Sequence, residues 1–225
     1  MIQPHSHITG YMAIKDFLTM KTLAIISQKG GSGKTTLAVH MAVCAIRQGL
    51  NTAIIDIDPQ GSAYDWFCSR EPENGLNAVQ ANINQLAALL KQAKAGKANL
   101  VIIDTAPHSD SAAAIAAQVA DFILMPCRPA RFDLKAIGST AAIAKLSQTP
   151  AAVVINAAPR GKLADEARAA LLNQGISVLD PVLQQRVAYS HAVIDGRSVH
   201  EYEPEGKAAE EIDELFDYLK KAMKL

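Results

Sequence analysis

Three short stretches combine glycine, lysine, hydroxyl and carboxylate groups in a pattern suited to handling phosphate. The first is Lys29-Gly30-Gly31-Ser32-Gly33-Lys34-Thr35-Thr36. Glycines carry no Cβ, so successive backbone N–H groups can turn inward as an anion nest. The helix-like segment that follows adds unpaired N–H donors and a partial positive charge. In this setting Lys34 reaches the β/γ-phosphates of a nucleoside triphosphate as a point charge, and the Thr35 hydroxyl ligates Mg²⁺. The second stretch is Asp56-Ile57-Asp58-Pro59-Gln60-Gly61, two carboxylates at the end of an apolar run. Read locally, its last four residues make an ordinary turn. The third is Leu100-Val101-Ile102-Ile103-Asp104, four apolar residues that carry a carboxylate to a sheet edge, where it can hold Mg²⁺ through water.

The chemistry works only if strands and helices deliver these residues to one edge. Residues 22–27 are predicted as a first buried strand and 35–48 as a helix, stopped at Gly49. Thr52 to Ile57 is a second strand. In a parallel sheet the carboxyl ends of strands line the ligand crevice, so Asp56 and Asp58 emerge beside the glycine loop. Residues 62–75 carry Tyr64, Trp66 and Phe67, an aromatic cluster read as core packing under a loop, with a dimer contact as the alternative. Ile83, Leu86, Leu89, Leu90 and Ala93 give residues 82–95 a helical period, with Asn82 as N-cap and Gly96 as stop. Strands over Leu100 to Asp104 and Asp121 to Pro126 alternate with helices over 109–119 and Phe132 to Leu146. A strand from Ala151 to Ile155 ends at Asn156. A helix over 162–174 and a short strand from Ile176 to Leu179 follow, and Pro181 begins a loop. The last helix places Ile212, Leu215, Phe216, Leu219 and Met223 on one face. The expectation is a single α/β domain over residues 21–225, a mostly parallel twisted sheet flanked by helices.

Composition agrees with such a fold. The chain has 225 residues, 49% apolar but only 5% aromatic, as suits small helices packed closely on a buried parallel sheet. Formal net charge is zero, which excludes a whole-chain basic field and leaves a local patch for any nucleic acid. Cys44, Cys68 and Cys127 lie far apart without metal-ligand spacing and are read as buried thiols of a reducing cytoplasm. No run of 18 apolar residues spans a membrane. Residues 1–20 are an N-terminal extension without a secretory h-region, read as a start or tag remnant, a short helix or a disordered tail. The pair His5 and His7 belongs to it, with metal binding as the alternative to a tail.

Gln28 stands where the ordinary phosphate-loop pattern requires glycine, and Lys29 leads the motif. This arrangement resembles the deviant Walker A box of the ParA/MinD ATPases. The resemblance covers nearly all of residues 20–225, including DIDPQGSA as switch I and the Asp104-Thr105-Ala106-Pro107 region as Walker B and switch II. It implies a P-loop ATPase that uses ATP and Mg²⁺, with slow intrinsic hydrolysis. Gly30, Gly31, Ser32, Gly33, Lys34, Thr35 and Thr36 would cradle the nucleotide. Lys29 would reach across an ATP-sandwiched homodimer to the partner's phosphates. Asp58 would orient the attacking water, and Thr35, Asp58 and Asp104 would serve the metal. Asn156 would contact adenine, its alternative being a plain turn residue, and the loop at Pro181 would close over the base. Arg128 and Arg131 are dimer-face or simple surface charges. His108 is a switch-surface residue, with a general base as its alternative.

The nearest resemblance is to short ParA-type proteins without an operator-binding helix-turn-helix. It implies nucleoid-associated DNA segregation or cargo positioning in the cytoplasm, with hydrolysis stimulated by a ParB-like or cargo-adaptor protein. Arg186, Arg197 and Lys207 are the DNA-binding candidates, contacting phosphate without reading bases. The rival is a MinD-like regulator on membranes. Glu210, Glu211, Asp213, Glu214 and Asp217 on the last helix oppose anionic lipid and favour a docked closing helix. Against a metabolic ATP-using enzyme of the same fold, Cys44, Cys68 and Cys127 are not arranged for a bridging cluster, and 225 residues leave little room for extra substrate segments.

Overall fold

The computed structural model describes residues 20–71 and 75–225. Apart from Met20, the N-terminal extension with His5 and His7 lies outside the described residues. Seven strands form one parallel sheet: β1 (Lys21–Ile25), β2 (Thr52–Asp56), β3 (Leu76–Gln80), β4 (Leu100–Asp104), β5 (Phe122–Cys127), β6 (Ala151–Ala158) and β7 (Val178–Gln184). Their order is β3-β2-β4-β1-β5-β6-β7. Every adjacent pair is parallel, so each strand's carboxyl end lies on the same edge. Register sets Ile25 of β1 and Asp56 of β2 both opposite Asp104 of β4. The glycine loop and both acidic stretches therefore meet by topology.

Alternation along each strand feeds two cores. Leu23, Ile25, Ile54, Leu100 and Ile102 pack on one face with α1 (Lys34–Arg47), α2 (Ser62–Cys68), α7 (Val187–Ile194), α8 (Val199–Tyr202) and α9 (Lys207–Met223). Ala24, Ile26, Ile55, Val101 and Ile103 pack on the other with α3 (Leu86–Ala95), α4 (Asp110–Val119), α5 (Arg131–Ser147) and α6 (Leu163–Asn173). Helix α1 is buried over ten consecutive or near-consecutive positions, Lys34 and Leu37 to Ala45, because α9 and β4 cover it. Alanines 112, 113, 116 and 117 let α4 lie close to the sheet. On α9, Ile212, Leu215, Phe216 and Leu219 are wholly buried, so its apolar face is spent on the core as the docked reading requires. Among the described residues, no helix is long and apolar enough to cross a membrane.

Three expectations are corrected, and one strand, β3, is added to those expected. The strand expected over 176–179 runs from Val178 to Gln184, so Pro181 lies inside β7 and begins no loop. As the edge strand, β7 tolerates a residue with no N–H to donate. Cys68 is exposed, while Cys44 and Cys127 are buried. Trp66 is buried core, as expected, with its indole N–H donating to the Arg197 carbonyl at 3.2 Å and the Arg70 guanidinium 4.7 Å from its ring centroid.

Candidate nucleotide site

The glycine loop joins β1 to α1. Gly31 and Gly33 take φ values of 71° and 97°, where glycine alone is unstrained. Gly33 is also a point of close approach: a Cβ there would lie 2.2 Å from Asn156 Nδ2. That amide donates to the Ser32 carbonyl at 2.7 Å, so Asn156, at the end of β6, braces the loop from outside. Gly30 and Gly31 are exposed with open space where a Cβ would stand, leaving the front of the cradle clear.

Lys34 opens α1 and is buried. Burial lowers its pKa, against the opposing attraction of Asp104 and Asp58. Thr35 Oγ1 donates to Asp104 Oδ2 at 2.6 Å. Asp104 is fully buried; burial and the charges of Asp56 and Asp58 push its pKa up to about 7, against the Thr35 hydrogen bond and Lys34. Its second oxygen, Oδ1, is buried without a hydrogen-bond partner among the described residues, as is Ser32 Oγ. Orphaned acceptors of this kind beside a buried lysine and a threonine hydroxyl suit a hydrated cation and an anion held together. The residues present therefore fit Mg²⁺ and a nucleotide.

The two switch I carboxylates divide their work. Asp56 is wholly buried and accepts from the backbone N–H groups of Asp58, Ala63 and Tyr64, at 3.0, 2.9 and 3.1 Å. It holds the turn and the start of α2. Asp58 is partly exposed, accepts only from Gln60 N at 3.0 Å and bears electrostatically on Lys34 and Asp104. Its outer oxygen remains available to a water.

Gln28, which in sequence appeared only as a missing glycine, is a brace. Its N–H donates to Thr140 Oγ1 on α5 at 3.2 Å, its side-chain amide donates to Asp110 Oδ1 at 2.8 Å, and its carbonyl accepts from His108 N at 3.3 Å. The glycine loop and the turn after β4 are thus joined by a backbone hydrogen bond. His108 adopts φ of 55° at that turn, and it is exposed.

Behind the loop lies a cavity of about 190 Å³ lined by Gly33, Thr36, Asn156, Gln184, Arg186 and Tyr189 among others. Ala157 beside it holds φ of 49°, a strained value for alanine, where β6 and β7 slip register. Asn156 and Thr36 are thus brought to the site. Pro181 is not: it lines a separate surface groove with Glu214, Asp217 and Tyr218 of α9. Gln184 and Gln185, after it, border the cavity instead.

The three DNA-binding candidates are each engaged with a carboxylate. Arg186 donates to Glu211 Oε1 through Nε and a terminal nitrogen at 2.8 and 2.6 Å. Arg197 pairs with Asp195 and stacks over Tyr202. Lys207 pairs with Glu210 at 2.8 Å. By contrast Lys29, Arg128, Arg131, Arg160 and Lys162 make no ion pair among the described residues. All five sit in loops or first turns on the carboxyl edge of the sheet.

Residues 23–199 match the family model described as the CobQ/CobB/MinD/ParA nucleotide binding domain. The chain is 32% identical to the maintenance of carboxysome distribution protein A of Gloeobacter kilaueensis over 197 residues, covering 86% of this chain and 89% of the relative. It is 27% identical to protein ParA of Rhizobium radiobacter over 191 residues, covering 80% and 86%. Its fold is similar to that of the Cyanothece McdA(D38A)–ATP complex, with a TM-score of 0.72 at 18% identity over 92% of this chain and 97% of that one.

Proposed function

The chain belongs to the CobQ/CobB/MinD/ParA family of nucleotide-binding domains, and from that premise we propose that it is an ATP hydrolase whose ATP-bound homodimer positions cargo on DNA. The observation that carries the dimer is Lys29. It stands on an exposed glycine loop with no ion pair among the described residues. On the same edge, Phe132, Leu163 and Val187 are exposed by 74%, 47% and 67% in the first turns of α5, α6 and α7. Three large apolar groups beside a site are expected of an interface.

In this reading the loop N–H groups and Lys34 hold the phosphates, and Lys29 of each subunit completes the other's site. Thr35, Asp58 and Asp104 would hold Mg²⁺, which when bound would supply positive charge against the phosphate oxygens. Asp58 orients a water for in-line attack, its carboxylate fixed on one side by Gln60 N–H. The Asn156 brace keeps the loop in register with the base-side cavity. Turnover alone is slow because the partner lysine and an activating protein complete the site.

A relative named for carboxysome distribution and one named ParA support the positioning of a cargo, and the nucleoid of the cytoplasm is the place we assign to it. Duplex contact is through phosphates. With Arg186, Arg197 and Lys207 paired, Arg160 and Lys162 are the exposed cations we assign to it. Such contact weakens steeply with salt, by a log–log slope of about −0.9 for each phosphate met. The membrane alternative is disfavoured because the apolar face of α9 is buried.

The test combines light scattering for dimer formation with a shift assay on nonspecific duplex. ATP is expected to give a dimer that binds DNA and releases it in high salt, and Lys29→Ala is expected to remain monomeric while still binding ATP. Asp58→Ala is expected to dimerise yet lose hydrolysis. Flotation with liposomes and no DNA binding overturns the reading, as does wild-type turnover by Asp58→Ala.

A further inference from the structure

Cys44 on α1, His200 on α8 and Asp213 on α9 converge although they are 13 to 169 residues apart in sequence. Asp213 Oδ1 lies 3.3 Å from Cys44 Sγ and 2.8 Å from His200 Nε2, and the three ligand atoms are all within 4.8 Å of one another. Ligand atoms around a tetrahedral zinc, at about 2.0–2.3 Å from the ion, stand roughly 3.3–3.6 Å apart. The Cys44–Asp213 separation falls in that range, the His200–Asp213 separation is shorter, and Cys44 and His200 lie within 4.8 Å of each other. Cys44 and His200 are buried, at 1% and 4% exposure, while the Asp213 side chain is 52% exposed. The other imidazole nitrogen, Nδ1, is buried with no hydrogen-bond partner among the described residues, which leaves Nε2 on Asp213 as the ring's hydrogen bond there. The site is separate from the nucleotide loop: Cys44 lies in the last turn of α1, whose first turn carries Lys34.

We propose that Cys44, His200 and Asp213 bind a divalent transition-metal cation of the zinc class. Thiolate with imidazole selects such ions over Mg²⁺ and Ca²⁺, which prefer all-oxygen shells. Binding displaces the Cys44 thiol proton to solvent, and the exposed side of Asp213 leaves a fourth position for water. The ion would tie α9 and α8 to the end of α1, fastening the closing helix to the core. This is independent of the proposed ATPase cycle.

The experiment uses nucleotide-free protein with Cys68→Ser, which removes the exposed thiol. Titration with Co²⁺ is expected to raise a thiolate-to-cobalt charge-transfer band that saturates at one equivalent, and Zn²⁺ is expected to bleach it. Cys44→Ser should abolish the band, and Asp213→Asn should weaken binding at least tenfold. Circular dichroism confirms that the variants are folded, and the half-exposed Asp213 is the safer of the two. No band in the folded protein, or an undiminished band in either variant, overturns the proposal and leaves a hydrogen-bonded triad. ATP binding by the same samples reports on the nucleotide site separately.

Discussion

Replacing Gly33 by alanine strikes two supports of the phosphate loop at once, and they can be separated. The backbone at φ 97°, ψ 24° costs an L-residue about 1–2 kcal/mol. The new Cβ would also stand 2.2 Å from Asn156 Nδ2, so that side chain must swing away. Doing so breaks its 2.7 Å bond to the Ser32 carbonyl, worth about 1 kcal/mol net and more if the carbonyl stays dry. The expected destabilisation is therefore about 2–4 kcal/mol. Urea unfolding of nucleotide-free protein measures it as a lower midpoint at unchanged slope. In an Asn156→Ala background only the backbone part remains, so the penalty should fall to about 1–2 kcal/mol. A coupling of about 1–2 kcal/mol between the two positions is the signature of the brace. Equal penalties in both backgrounds would refute it.

The Arg186 pair and the buried His40 give two further expectations. Arg186→Ala leaves the half-buried Glu211 with only Tyr189 Oη and Gln184 N as donors and should cost about 1–2 kcal/mol in urea unfolding. Its DNA affinity at fixed salt should change little, and a large loss with unchanged stability would restore Arg186 as a phosphate contact. His40 is held by burial at a pKa of about 3, against an ordinary value of 6.5, with Val199 N–H donating to its Nδ1. Because the unfolded chain protonates first, His40 contributes stability that is present above pH 6.5 and lost as pH falls toward 3. The slope is about 1.4 kcal/mol per pH unit. His40→Gln should flatten that part of the stability profile, and an unchanged slope would show that His40 is not the group responsible.

What was legible in the sequence was local chemistry. The glycine loop, Asp58 and Asp104 declare themselves because strand, turn and helix are contiguous there, and parallel register does the rest. β3 was missed because Leu76-Asn77-Ala78-Val79-Gln80 is a short edge strand whose two polar residues, Asn77 and Gln80, fall three apart and break the apolar/polar alternation. Pro181 misled for a related reason: proline reads as a strand breaker, yet an edge strand accommodates it. Arg186 looked like an available cation because Glu211, its partner, lies 25 residues on. Gln28 could be seen as a departure from pattern, but its bonds to Asp110 and Thr140 span 82 and 112 residues. The Cys44 cluster was invisible in the same way, since cysteine spacing alone carries no trace of His200 or Asp213.

The strand order also sets a schedule for building the site. β1 does not touch β2, the next strand to be made; its neighbours are β4 and β5. Its first pairing joins Lys21 to Leu100, and the strand on its other side begins at Phe122. During synthesis the phosphate loop therefore emerges early and waits through about eighty residues for a sheet to stand on. The Asn156 brace arrives later still. A nascent chain that has made its whole glycine motif still has no rigid cradle. The capacity to hold a nucleotide arises only when more than half of the protein exists.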